Sequence, residues 1–321
     1  MNRWAIELMD DGKGHAVDPA AACSGRATPA RFVWIHLDGR EDDTLAWLKE
    51  HGGMPEPVVY ALTATETRPR SEAIDDGALI NLRGPAADGD AGDDRLVSIR
   101  AWVEQGRAVS VSFRGLAGLD DLRGQMERGL IKDPGDLISH LAMTITKRVD
   151  PVIADLGDLV DDCETALDAD HAFDTRRKIA GARSDSIVYR RFVAPQRAAL
   201  AGMAELEAPW LEADDRLHLR EAADRFARMT EELEAVRERA ALIHEQLTDL
   251  RSEQIENRAL LLSIVALIFL PLTFLTGLLG MNVDGIPFAH EPWAFAAVCG
   301  ACVVLSVAIG GWFAAAHWFR R

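Results

Sequence analysis

The sequence predicts an α/β domain at the N-terminus, a long stalk helix after it, and a transmembrane region of two helices at the C-terminus. One stretch of 25 residues contains no Asp, Glu, Lys, Arg or His, and about 20 apolar residues suffice to cross a bilayer as a helix. A second stretch without Asp, Glu, Lys or Arg follows, and strand-like runs occur only in the first part of the chain. The predicted regions are an α/β domain over residues 1–130, a helical region with the stalk over 131–258, a first transmembrane helix over 259–283, an outer loop over 284–291, and a second transmembrane helix over 292–319.

The N-terminal domain mixes the patterns of strands and helices. Glu41–His51 and Glu56–Glu66 have the apolar spacing of helices. Pro85–Asp94 is rich in Gly and Asp, which is typical of a solvent-exposed loop. Five runs rich in β-branched and aromatic residues predict strands, the last two as a hairpin: Trp4–Met9, Arg31–Asp38, Ala78–Leu82, Arg95–Trp102 and Ala108–Phe113.

The region after the α/β domain is predicted to be helical throughout. Asp133 followed by a Pro is a typical helix start, while Pro151 either kinks the helix that follows or divides it. No Pro or Gly interrupts the chain from Asp214 to Pro271, so the stalk and the first transmembrane helix are predicted to form one helix. Apolar residues along the stalk alternate steps of three and four, a heptad pattern that requires partner helices from the same subunit, from other subunits, or from both. These residues are Phe226, Met229, Leu233, Val236, Ala240, Ile243, Leu247 and Leu250.

The charge distribution separates the two parts of the chain. The formal net charge is −16, and all of it lies in residues 1–258, because two Arg and two acidic residues cancel in the remainder. An acidic body argues against nucleic acid as a partner and against docking on an anionic lipid surface. Four scattered cysteines and an N-terminus without an apolar signal core predict a reduced, cytosolic domain.

The residues that flank the apolar stretches predict the topology. Arg251 and Arg258 precede the first stretch, Arg320 and Arg321 follow the second, and the loop between them has no Lys or Arg. The positive-inside rule therefore places both termini in the cytoplasm and the loop outside. The sequence predicts a multi-pass protein of the inner (plasma) membrane, with the lipid bilayer as a partner.

Gly280-Met281-Asn282 stands at the outer end of the first apolar stretch, before a short loop and a second stretch. In this position it resembles the signature of the CorA superfamily of divalent-metal transporters. The continuation Val283–Pro287 is more similar to the zinc-transporting ZntB branch than to the magnesium branch, although Asp284 stands where that branch often has Gly. Trp34–Asp38 and Arg190–Arg197 also resemble ZntB segments, in the expected order.

This resemblance implies a funnel-shaped homopentamer whose first transmembrane helices line a central pore. The ion would enter at Gly280, Met281 and Asn282, where Asn carboxamide oxygens can accept hydrogen bonds from the water shell of a divalent cation. The alternative role for Gly and Asn here is a helix C-cap. By the same resemblance, the pore wall has constrictions at Leu262 and Leu270 and hydrated widenings at Thr273 and Gly277; ordinary helix packing is the alternative.

Acidic residues outside the apolar stretches suggest two further roles. Asp284 and Glu291 in the outer loop would attract cations, or are simply solvated charges. By the resemblance, Asp155, Asp158 and Asp162 would bind a regulatory cation as in the magnesium branch; the alternative is a solvated helix face. The first transmembrane helix contains no His, Cys, Asp or Glu, the usual zinc ligands, so a hydrated ion fits it better than a bare one.

The resemblance implies zinc uptake, coupled to a proton gradient, with magnesium, cobalt, nickel or cadmium as further cations. No cofactor and no enzymatic activity are expected, since the chain lacks the P-loop, zinc-protease and nucleophile-elbow motifs of a membrane-anchored enzyme. Two alternatives remain at this stage: a magnesium and cobalt channel of the CorA type gated by internal metal, and a membrane-tethered scaffold without transport.

Overall fold

The structure, a computed structural model, describes residues 3–24, 32–65, 68–87, 96–167, 172–281, 286, 288 and 291–318. It divides into two units, residues 1–244 and residues 245–321. The strands are β1 (Arg3–Leu8), β2 (Gly14–Val17), β3 (Val33–Asp38), β4 (Arg70–Ile74), β5 (Gly77–Pro85), β6 (Leu96–Glu104) and β7 (Arg107–Ser112). The helices are α1 (Pro19–Ser24), α2 (Thr44–His51), α3 (Glu56–Thr63), α4 (Leu119–Glu127), α5 (Pro134–Thr165), α6 (Ala172–Ala204), α7 (Ala213–Leu279) and α8 (Ala294–Trp318).

The seven strands form one mixed sheet in the order β2-β1-β3-β7-β6-β5-β4. All neighbouring strands are antiparallel except β3 and β7, which are parallel. The predicted hairpin is confirmed as β6 and β7, but its turn is tighter than the spacing suggests, because Glu104 pairs with Arg107 in the ladder. Gly106 makes the tight turn possible with a φ of 74°, a conformation that costs glycine little.

Two edge strands, β2 and β4, have no counterpart in the sequence prediction. Both are polar and half-exposed, with burial patterns that lack a continuous apolar face. The central strands are different: β7 is buried at every position and β3 at five of six positions. Helices α1, α2 and α3 pack on one side of the sheet around an apolar core that includes Ile35, Leu48 and Trp102.

Helix α5 begins as predicted, since the Asp133 side chain accepts a hydrogen bond from the Asp136 backbone N–H at 2.8 Å. It continues through Pro151 as one helix of 32 residues. Pro151 removes one helical hydrogen bond, and because it lies on the exposed side of the helix, water can reach the carbonyl that is left. The predicted kink or break is therefore not required.

Helix α7 confirms the prediction that the stalk and the first apolar stretch form one helix. Its predicted seam is buried within the chain itself from Phe226 to Ile243, where each seam residue is at most 2% exposed. The partner helices that the heptad pattern requires thus include helices of the same subunit.

The second unit contains the apolar part of α7 and helix α8. Each carries a window of 18 residues long and apolar enough to span a membrane, with mean hydropathies of 2.5 and 2.2 and no residue of either window buried. These helices match the two predicted transmembrane helices by length and composition.

Candidate functional site

The predicted pore wall lies on one face of α7. At roughly 100° per residue, Leu262, Leu270, Thr273 and Gly277 fall within an arc of about 80°. Leu262 is 68% and Leu270 is 75% exposed. The half-exposed residues of this segment lie on the opposite side of the helix: Ile264, Ile268, Pro271, Leu272, Leu275 and Leu279.

Helix α8 has a matching stripe, since its half-exposed residues recur mostly every four positions from Ala294 to Phe313. One stripe on each helix is the pattern expected for two helices packed side by side. The predicted pore face is thus the face of α7 that the described residues of this unit leave uncovered. Its role in lining a pore stays a prediction.

Three hydroxyl groups interrupt the apolar surface of this segment, those of Ser263, Thr273 and Thr276. The Thr273 hydroxyl donates to the Phe269 carbonyl at 2.7 Å, and the Ser263 hydroxyl donates to the Ala259 carbonyl at 2.9 Å. These are the local bonds that the packing alternative predicts. They use each hydroxyl proton and leave the oxygen lone pairs free to accept, which suits the water shell of a cation.

The predicted ion-entrance residues stand at the end of α7. The Gly280 backbone N–H donates to the Thr276 carbonyl at 2.9 Å, and a Cβ added at Gly280 would lie 3.0 Å from that carbonyl oxygen. The Gly280 backbone is not in the left-handed region, so the usual reason for a glycine C-cap does not apply to it. Met281 is 48% exposed; Asn282 lies outside the described residues.

In the outer loop, Asp284 also lies outside the described residues, whereas Glu291 is described and exposed. The Glu291 backbone N–H donates to the Phe288 carbonyl, and its own carbonyl accepts from the Ala294 N–H at 3.1 Å. A carboxylate just before α8 also suits the positive end of the helix dipole. The rings of Phe288 and Trp293 lie 5.3 Å apart beside it, and aromatic residues are enriched where a helix leaves the bilayer.

Asp155, Asp158 and Asp162, which we term the acidic face of α5, are all exposed. Nearby on the same helix, Asp161 and Glu164 form ion pairs with Arg239 of α7. Within the part of the chain that the structure describes, Asp155, Asp158 and Asp162 do not converge to the distances at which one metal ion binds several carboxylates. A regulatory cation on this face would need ligands from another molecule, and that role stays a prediction.

The structure brings together three carboxylates that the sequence analysis did not connect. Ligand oxygens of Asp133, Asp136 and Asp215 all lie within 4.8 Å of one another. Each belongs to the start of a helix: Asp136 accepts from the Lys132 N–H at 2.9 Å, and Asp215 accepts from the Glu212 N–H at 3.0 Å. Asp133 and Asp136 are three residues apart, as are Glu212 and Asp215. This is the spacing of a capping box, and it is the signal that could have been read from the sequence.

Burial changes the ionisation of this carboxylate cluster. Asp215 is 3% exposed, and burial, followed by the nearby charges of Asp133 and Asp136, raises its pKa to about 6. Burial also raises the pKa of Asp133. The cluster therefore binds a proton in mildly acidic solution. Its geometry is explained by the hydrogen bonds that its carboxylates accept from backbone N–H groups at the starts of the two helices.

Comparison with known proteins places the chain in a family. The family model described as "CorA-like Mg2+ transporter protein" matches residues 29–321. The "Zinc transport protein ZntB" of Yersinia enterocolitica is 32% identical over 311 residues, which cover 96% of this chain and 94% of the relative. The full-length structure of CmaX superimposes with a TM-score of 0.79 at 29% identity, covering 98% of this chain and 97% of CmaX. The cytoplasmic domain of ZntB from Vibrio parahaemolyticus, at 20% identity, shares the fold with a TM-score of 0.67 over 79% of this chain and 98% of that domain. The chain belongs to the CorA family.

Proposed function

We propose that this protein transports divalent metal cations across the inner membrane, with zinc taken up into the cell as the principal substrate and a proton gradient as the driving force. The observation that carries the proposal is the match, over 96% of the chain, to a relative described as a zinc transport protein. The match covers 94% of that relative's own length, so the two proteins align over nearly their full lengths.

The chemistry of the pore face supports movement of a hydrated ion. Leu262 and Leu270 would form apolar rings, while the Thr273 oxygen and the bare backbone at Gly277 would meet the water shell of the ion. The first transmembrane helix has no ionisable ligand, so selectivity would depend on the entrance at Gly280, Met281 and Asn282 and on the negative charges of Asp284 and Glu291 outside it.

One chain has one such face, and two helices cannot enclose a pore. We therefore propose a homopentamer in which five copies of α7 turn this face inward, with both termini in the cytoplasm. The uncovered side chains on this face of α7 are the surface that such an assembly would bury or hydrate. Gly280 fits the same picture, because its backbone conformation alone does not require a glycine.

The test is flux of labelled zinc into liposomes that hold the purified protein, with and without an inward proton gradient. We expect zinc flux that the gradient accelerates and that Asn282→Ala abolishes. Thr273→Val, which keeps the shape but removes the hydroxyl, should lower flux severalfold. Ser306→Ala is the matched control, because Ser306 donates an equivalent local bond to the Cys302 carbonyl at 2.8 Å in α8, and it should transport like the wild type.

Magnesium is the second candidate substrate, favoured by the match to the family of CorA-like Mg2+ transporter proteins. A channel of that type would carry magnesium without regard to the proton gradient, and internal metal bound at the acidic face of α5 would close it. Magnesium flux that is indifferent to pH would replace the zinc proposal. Absence of flux for every divalent cation from folded, assembled protein would leave a membrane-tethered scaffold.

A further inference from the structure

A small cavity with a cationic lining lies on the sheet of the first unit, where β5, β6 and the segment after β7 meet. Its volume is about 80 Å³, whereas one water molecule needs roughly 10–15 Å³ measured in the same way. Arg83 and Ser98 are direct partners across the ladder, and Arg100 follows Ser98 by two positions on β6. The three side chains therefore project from the same face of the sheet. Phe113 and Arg114, which follow β7, also line the cavity.

Arg100 is the residue of this cavity whose surroundings are incomplete. It is 2% exposed, and among the residues that the structure describes, neither its Nε nor its Nη1 has a hydrogen-bond acceptor. The Phe113 ring lies 4.8 Å from the guanidinium carbon. A ring in that position satisfies the face of the guanidinium but leaves its in-plane N–H groups for another partner.

The charge of Arg100 persists despite its burial. Burial, followed by the neighbouring charge of Arg83, lowers the pKa of Arg100 to about 10, which leaves it protonated at neutral pH. A buried cation with unpaired donors is unfavourable unless an anion or acceptor reaches it. The cavity beside it is the space through which such an anion can reach it.

We propose that this cavity binds a phosphate group, with Arg100 as the central ligand and Arg83, Ser98 and Arg114 around it. The planar N–H groups of guanidinium match the oxygens of a phosphate, and several cations together complement its double negative charge. The phosphate is either inorganic phosphate or the phosphate end of a small metabolite, since both present the same group. This inference does not depend on which cation the protein transports.

The sequence between β5 and β6 contains four acidic residues, Asp88, Asp90, Asp93 and Asp94. A carboxylate of the same chain would compete with phosphate at a high effective concentration. A variant in which these four are changed to Asn tests whether phosphate binds in the presence of the native carboxylates or only after their removal.

The experiment is isothermal titration calorimetry of the full-length protein in detergent, at an ionic strength held constant with potassium chloride. The probes are inorganic phosphate and adenosine monophosphate. We expect one saturable site per chain for at least one probe, and binding at least tenfold weaker in Arg100→Met and in Arg100→Lys, which keeps the charge but loses the planar donors. Arg40→Gln, at an exposed arginine, is the matched control and should bind as the wild type does.

If only inorganic phosphate binds, the natural ligand is inorganic phosphate. If adenosine monophosphate binds with higher affinity, the ligand is the phosphate group of a small metabolite. The proposal is overturned if neither probe binds beyond the chloride control, or if Arg100→Met binds as tightly as the wild type. It is also overturned if binding appears only in the variant with the four Asn. Circular dichroism checks the folding of Arg100→Met. If Arg100→Met does not fold, Arg114→Gln replaces it as the test and should weaken phosphate binding severalfold.

Discussion

The buried carboxyl of Asp215 makes a quantitative prediction about the pH dependence of stability. Its pKa rises from an ordinary value of 3.8 to about 6 in the folded protein. Between these two values the folded protein keeps a proton that the unfolded chain releases, so this group lowers the free energy of unfolding as the pH rises. The change amounts to about 2 kcal/mol between pH 4 and pH 7.

Replacing Asp215 by Asn removes this titration. The variant also weakens the cap on the Glu212 N–H, at a cost of about 1 kcal/mol, but that loss is the same at every pH. We therefore expect the stability of Asp215→Asn, relative to the wild type, to increase by about 2 kcal/mol from pH 4 to pH 7.

The assay is guanidinium unfolding of residues 1–244, which form one unit, at a series of pH values. A relative's cytoplasmic domain has been crystallised on its own. Asp214→Asn is the control for the substitution itself, because Asp214 is an exposed carboxylate next to Asp215. Parallel curves for the wild type and Asp215→Asn would refute the conclusion that Asp215 holds a proton in the folded protein.

Three further predictions concern other residues. His36 lies between Ser110 and Ser112, and burial lowers its pKa from 6.5 to about 4. Because the unfolded chain takes up this proton first, the free energy of unfolding should fall by up to about 3 kcal/mol as the pH falls from 6.5 to 4. The variant His36→Gln should lack this pH dependence in the same unfolding assay. Leu233→Ala empties a fully buried position on α7 and should cost about 2–5 kcal/mol, whereas the exposed Leu217→Ala should change the denaturant midpoint little. Changing all three residues of the acidic face of α5 to Asn should leave zinc flux intact; loss of closure by internal magnesium would favour the second candidate function instead.

The elements that were predicted well are those whose signal is local. Helix α7 begins at Ala213, one residue from the predicted start, because the unbroken run without Pro or Gly and its heptad seam are properties of neighbouring residues. Asp133 was identified as a cap on the same grounds. The edge strands β2 and β4 were missed, since a strand held by one neighbour needs little apolar periodicity of its own.

The two clusters of charged side chains could not be predicted, because their members are distant in the sequence. Asp136 and Asp215 meet only because the starts of α5 and α7 pack together, and Arg83 and Arg114 line one cavity only through the register of three strands. No pattern of neighbouring residues in the sequence predicts that these distant side chains come into contact. The pKa of Asp215 and the unpaired donors of Arg100 depend on burial, which the composition of the chain does not reveal.

Family membership, the two apolar helices and the position of the proposed ion-entrance residues follow from the amino-acid order, since each depends on runs of adjacent residues whose chemistry is the same in any fold. Which face of α7 is uncovered does not follow from the amino-acid order. The sequence places Leu262, Leu270, Thr273 and Gly277 on one arc, but only the folded second unit shows that this arc is left uncovered. Which surface of a helix is exposed is a property of its neighbours, and neighbours exist only once the chain has folded.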